Sequence, residues 1–223
     1  MNKEEIIARC KDVIKSAAET TLEQIPCVGV FYAAVSKVKD GAYKRRLETW
    51  QELVGQRLAD LEAATFDTLG DNEDFASVLV TATELAAKSN KIKMECLANA
   101  VKYVAANKVE EEYIIVFLNC MEKYTIKHLE ALCSFQEVKG FTPIPMDRAI
   151  NGVEEQPFFR HKYPKIDANL AKFIIDELRR DGLYRDDIPL DNRATTRMPR
   201  TTNLGKQFID FFGLNEMDIC VEN

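Results

Sequence analysis

Few residues in this chain have types and spacing that could do chemistry: two histidines, six cysteines, the acidic pairs of loop-like sequence and one stretch rich in arginine. His128 follows Lys127 and lies near Cys120 and Cys133 in sequence. A zinc site needs ligands at closer spacing and a second cluster to complete a tetrahedron. His128 therefore reads as a surface or capping histidine, and no metal is expected. His161 sits in FFRHKYP, where an imidazole could line a loop cleft, but no Ser or Cys nucleophile motif accompanies it. The cysteines are Cys10, Cys27, Cys96, Cys120, Cys133 and Cys220, with no CxxC pair among them. Most fall at apolar positions of helical patterns, which predicts buried, reduced thiols in a cytoplasmic protein. The pairs Glu154-Glu155 and Asp186-Asp187 fall in loop-like sequence. A diffuse nuclease-type carboxylate site is the enzymatic alternative they leave open. There is no glycine-rich phosphate loop, no HExxH and no calcium loop. The expectation is a nonenzymatic protein with no catalytic residue and no cofactor.

The arginines point to a different chemistry. From Arg193 to Gln207 stand four basic residues, Arg193, Arg197, Arg200 and Lys206, and no acidic one. Such a patch suits phosphate oxygens. Upstream, Lys165, Asn169 and Lys172 fall early in a predicted helix, where a DNA-reading helix would present them to the major groove. These seven residues are the candidate nucleic-acid contacts. Opposing them, the whole chain has a formal net charge of -6, and residues 140–223 hold 12 Lys and Arg against 14 Asp and Glu. Asp167, Asp176 and Glu177 lie on the same helix as the candidate contacts and repel phosphate.

The elements that must position these residues are mainly helical. Gly (9) and Pro (7) are too few for a turn-rich β sandwich. Apolar residues recur at helical spacing over 3–22, and Pro26 opens a nearly apolar segment. The run Ile25 to Val38 is short of the roughly 20 residues a membrane span needs. It reads as a buried core helix, with a membrane-touching segment as the alternative. A stripe of Leu47, Trp50, Val54, Leu58 and Leu61 predicts a helix over 42–69, ended by Gly70. Asp71 or Asn72 caps the next, carrying Phe75, Val78, Leu79, Ala82 and Leu85 to about Ala87. Asn90 starts another with Ile92, Cys96, Leu97, Ala100, Val101 and Val104. An acidic start near Glu110 begins a further one, and Thr125 caps Ile126 to Phe135.

The texture changes at Lys139. Pro143, Pro145, Pro157 and Pro164 exclude a continuous helix, leaving room for a short one at 146–151. A helix over Ile166 to Arg180 follows, with Leu170, Phe173, Ile174 and Leu178 on one face. Asp181-Gly182 stops it, Leu183-Tyr184-Arg185 forms a short strand, 186–200 is a polar loop, and 201–212 is the closing helix. Gly205 in that helix allows two backbones to approach closely.

This order of helix, proline-rich segment, helix, strand, loop and helix is that of a winged helix. YTIKHLEAL at 124–132, IIDELRRDGLYR at 174–185 and DNRATTRMPRTTNLGKQF at 191–208 resemble, in turn, the opening helix, the recognition helix with first wing strand, and the wing with following helix of regulators of the multiple-antibiotic-resistance type. The chain departs from them at 140–165, where the helix preceding the recognition helix is broken by proline. Through TATELAAKSNKIKMECLANAV at 81–101 and TTNLGKQFIDFF at 201–212, the whole chain resembles uncharacterised bacterial helical proteins of the abortive-infection alpha type. That resemblance implies a link to phage defence and supplies no mechanism.

The fold expected is therefore mainly α, with an N-terminal multi-helix bundle (1–123), a winged-helix-like region with a small β wing (124–213) and a C-terminal tail (214–223). The leading functional expectation is an interaction or regulatory protein that contacts a protein partner or forms a homodimer. A DNA-binding transcriptional regulator is the first alternative. A membrane-acting helical effector using 25–38 is the second.

Overall fold

The computed structural model describes residues 41–59, 61, 72–136, 163, 165–185 and 200–217. The helices expected over 3–22, 25–38 and 146–151, the stop at Gly70, His161, Arg193 and Arg197 lie outside the described residues. Of the described residues, 77% are helical and none belongs to a strand, so the protein is mainly α. By compactness the chain divides into Met1–Glu122 and Lys123–Asn223.

In the first unit, α1 (Ala42–Ala59), α2 (Glu73–Ala87) and α3 (Lys91–Ala106) each pack on the other two. Helix α1 turns Leu47, Trp50, Val54, Gly55 and Leu58 inward, one apolar stripe at helical spacing. Helix α3 contributes Ala98, Ala100 and Ala105 among its buried residues, small side chains that let neighbouring helices come close. Trp50 is wholly buried, and its indole N–H donates to Thr83 Oγ1 at 3.0 Å. The Thr83 hydroxyl in turn donates to Leu79 O, so both buried polar groups are satisfied. Arg57 Nε bonds Asn99 Oδ1 at 2.6 Å between α1 and α3. Asn72 and Asn90 cap α2 and α3 by accepting from the Phe75 and Lys93 amides. Helix α4 (Glu111–Lys123) begins with Glu111 and Glu112, as the helix dipole favours, and buries Ile114, Phe117, Leu118, Cys120 and Met121. Lys88 pairs with the Glu122 carboxylate, and Lys93 Nζ donates to the Glu122 carbonyl. Ile92, expected on the apolar stripe of α3, is exposed, as is Val116 on α4.

The second unit contains α5 (Ile126–Ser134), α6 (Ala168–Arg180) and α7 (Asn203–Phe211), with α5 packed on α6. Asp167 accepts from the Asn169 and Leu170 amides and so starts α6 two residues later than the apolar pattern suggests. Gly182, with φ +74°, ends it. The Gly182 amide bonds Arg179 O and the Leu183 amide bonds Leu178 O, both at 3.0 Å, the paired bonds of a Schellman stop.

Beyond that stop, Tyr184 and Thr201 form an antiparallel bridge. The Arg185 amide donates to Arg200 O (2.9 Å) and the Thr202 amide to Leu183 O (3.0 Å). On its other side the chain donates again: the Arg200 and Thr201 amides both reach Phe135 O, at 3.0 and 3.3 Å. Three separate stretches thus meet through backbone bonds, although no ladder long enough to be a strand forms among the described residues. Thr202 caps α7. Phe212 meets Phe211 edge-on and Phe208 at a tilt, and Phe208 tilts in turn against Tyr124. The tail expected from 214 starts instead as a 3-10 turn, Leu214–Glu216, with Leu214 fully buried and Asn215 bonded to Gln136.

Candidate nucleic-acid interface

Of the candidate contacts, Lys165, Asn169, Lys172, Arg200 and Lys206 are described. Lys165, Asn169 and Lys172 are exposed at the start of α6, and Lys206 is exposed on α7. Lys172 is held by Asp176 one turn on, at 2.5 Å. Asp176 also takes Arg179 NH1 at 2.7 Å. Arg200 is half-buried beside the bridge, where its NH1 donates to the Tyr184 hydroxyl at 3.0 Å. Arg179 lies over the face of the same tyrosine ring. These two arginines thus hold an aromatic core residue from its edge and its face.

The exposed surface of α6 is not the one the apolar pattern suggests. The buried residues are Ala171, Ile174, Ile175 and Leu178. Leu170 and Phe173, expected on the core face, are 46% and 54% exposed. At 3.6 residues per turn Phe173 stands roughly 150° from the centre of the buried stripe. Four apolar residues at 170, 173, 174 and 178 satisfy a helical spacing, but so do 171, 174, 175 and 178, and packing selects the second set.

A polar cluster joins the start of α5 to the end of α6. His128 is 2% exposed, so it is buried and not a surface residue. It occupies the third position of α5, where Glu or Gln completes a capping box. The Thr125 amide donates to His128 Nδ1 at 3.1 Å, and the Thr125 hydroxyl lies 2.9 Å from the same nitrogen. A backbone N–H can only donate, so Nδ1 is the acceptor and the ring proton sits on Nε2. Nε2 then donates to Glu177 Oε2 at 3.0 Å. Glu177 Oε1 also takes Arg180 NH2 at 2.8 Å. The Tyr124 ring stacks on the imidazole, 4.9 Å between centroids and 5° from parallel, and its hydroxyl donates to Asp181, which also pairs with Lys123. Burial pushes the imidazole below its ordinary value of 6.5, and the Lys123 charge adds to that; the Glu177 hydrogen bond and the Glu177 and Asp181 charges oppose it without overcoming it.

Among the described residues no three His, Cys, Asp or Glu side chains gather to hold a metal. Cys96 and Cys120 are buried and not disulfide-bonded, and burial pushes Cys96 up to about 12, where it is inert as a nucleophile. Cys133 departs from the reduced thiol expected of it: it is disulfide-bonded. No described helix is long and apolar enough to cross a membrane.

Comparison of the chain with protein-family models, with curated proteins and with solved structures finds no match.

Proposed function

We propose that this chain is a nonenzymatic interaction or regulatory protein whose second unit is a winged-helix-like module turned to protein contact. The observation that carries this reading is the outer surface of α6. A DNA-reading helix offers polar groups to base edges and cations to phosphates, and apolar contact is confined largely to thymine methyls. Helix α6 instead offers Leu170 and Phe173, with Lys172 paired to Asp176 on the surface. An aromatic and a leucine exposed together, rimmed by charge, suit a protein surface.

The winged-helix part of the proposal is supported by order and pairing. Helix α5 leads to Phe135, whose carbonyl receives the return of the chain at Arg200 and Thr201, and α6 leads through its glycine stop into the Tyr184–Thr201 bridge. The residues between Arg185 and Arg200 would then be the wing. The resemblance to the abortive-infection alpha type adds a bacterial phage-defence setting. The reduced thiols Cys96 and Cys120 fit a cytoplasmic location, and the Cys133 disulfide does not.

A DNA-binding regulator is the second reading, favoured by the exposure of Lys165, Asn169 and Lys206 on one unit. The test is binding to mixed-sequence duplex DNA at low and moderate salt, beside sedimentation velocity over a range of protein concentration. The proposal expects no salt-sensitive retention, and a concentration-dependent dimer that Phe173→Asp abolishes. Retention that falls with salt and is lost in an Arg197→Ala, Arg200→Ala, Lys206→Ala variant overturns it in favour of DNA.

A further inference from the structure

We propose that the Thr125–His128–Glu177 chain is a proton-sensitive latch between the start of α5 and the end of α6. The latch follows from which atoms donate. In the neutral ring, Nδ1 accepts the Thr125 amide and Nε2–H donates to Glu177, so one side chain both caps α5 and ties it to α6. A proton arriving from solvent has only Nδ1 to bind. There it faces the Thr125 N–H, donor against donor at 3.1 Å, so that amide loses its acceptor, while the Thr125 hydroxyl oxygen, 2.9 Å away, can take the new proton. The bond to Glu177 survives and becomes an ion pair. The ring therefore gives up the Thr125 amide, the cap of α5, while staying attached to α6.

The charges that reach the ring are Glu177 on α6, Asp181 at its C-cap, and Lys123 at the start of the unit. Arg180 shares Glu177, and Tyr124 is stacked on the ring and bonded to Asp181. Helix α7 meets the cluster through the apolar Phe208, on the Tyr124 ring. The two acids favour the proton, while burial and Lys123 oppose it, and burial prevails. The sign follows: the folded state holds the proton less well than the unfolded chain, so the latch is fully closed above pH 6.5 and is weakened as pH falls below it.

The experiment is a pH titration of the full chain by NMR, reading the imidazole nitrogens of its two histidines and the hydrogen-exchange protection of the Thr125 amide. The expected result is a His128 ring protonated only on Nε2 at pH 7.5, titrating below 6.5, with Thr125 protection falling by up to about tenfold by pH 5.5. His128→Gln keeps a side-chain acceptor at the capping position without a titrating group, and its Thr125 protection stays level over the same range. Glu177→Gln removes a charge that favours the proton and moves the His128 midpoint further down. The proposal is overturned by a proton on Nδ1 at pH 7.5, by a midpoint at or above 6.5, or by the same pH response in His128→Gln as in the wild type.

Discussion

Gly205 and Thr83 each decide whether two elements can meet. A Cβ on Gly205 would stand 2.3 Å from Leu183 O and 2.7 Å from the Thr201 methyl. The first of these is backbone and cannot swing aside. Gly205→Ala is expected to cost about 1–3 kcal/mol by forcing α7 off the 183–184 stretch, read as a lower denaturation midpoint in urea; an unchanged midpoint would mean the close approach is not obligatory. Thr83→Val leaves the buried Trp50 N–H without its acceptor, at about 1–3 kcal/mol. Trp50 is the only tryptophan, so its fluorescence reports that loss directly. Gly205 was legible in sequence as a close approach, because a glycine inside a strong helical pattern costs stability unless a neighbour needs the room. The Trp50–Thr83 bond was not, since the two residues stand 33 positions apart and nothing local announces the pair. His128 was legible as a cap through Thr125, three residues before it. Its burial was not, because that comes from Glu177 and Tyr124 packing around it.

Helix starts were the most readable feature. Asn72, Asn90 and Thr125 occupy the N-cap positions, as their side-chain chemistry suggests, and Asp181-Gly182 closes α6. Caps are local, so sequence carries them. Replacing Asn72 or Asn90 by Ala is expected to cost about 1 kcal/mol each, and by Asp much less, because the carboxylate accepts the same amide; equal losses for Ala and Asp in thermal melts would count against the cap. Which face of a helix is buried is set by its neighbours, and here the reading failed for α6. The correction is itself testable. Ile174→Ala should cost about 2–5 kcal/mol and Phe173→Ala should stay within about 0.5, although the two are adjacent in sequence and phenylalanine is the larger side chain. Comparable losses at both positions would restore Phe173 to the core.

Taken as a whole, the chain is acidic, and that bears on what the second unit can approach. A duplex responds to the summed field of all nearby charges, and a helix entering its groove brings every carboxylate on that helix with it. For α6 those are Asp167, Asp176 and Glu177, the last already committed to His128 and Arg180. Asp176 matters most, because it pairs with Lys172, a candidate contact that reads as a free cation in sequence. The variant Asp167→Asn, Asp176→Asn separates the two functional readings. Asparagine caps a helix as well as aspartate does, so α6 keeps its start. The change deletes two negative charges and removes the ion-pair partner of Lys172. Were α6 to meet DNA, low-salt affinity would rise by an order of magnitude or more, since each added phosphate contact steepens the salt dependence by about 0.9 in log–log terms. With α6 as a protein surface, duplex binding in fluorescence anisotropy is expected to stay negligible in both proteins, and the variant's change should appear in the self-association equilibrium, where the rim charges around Leu170 and Phe173 lie.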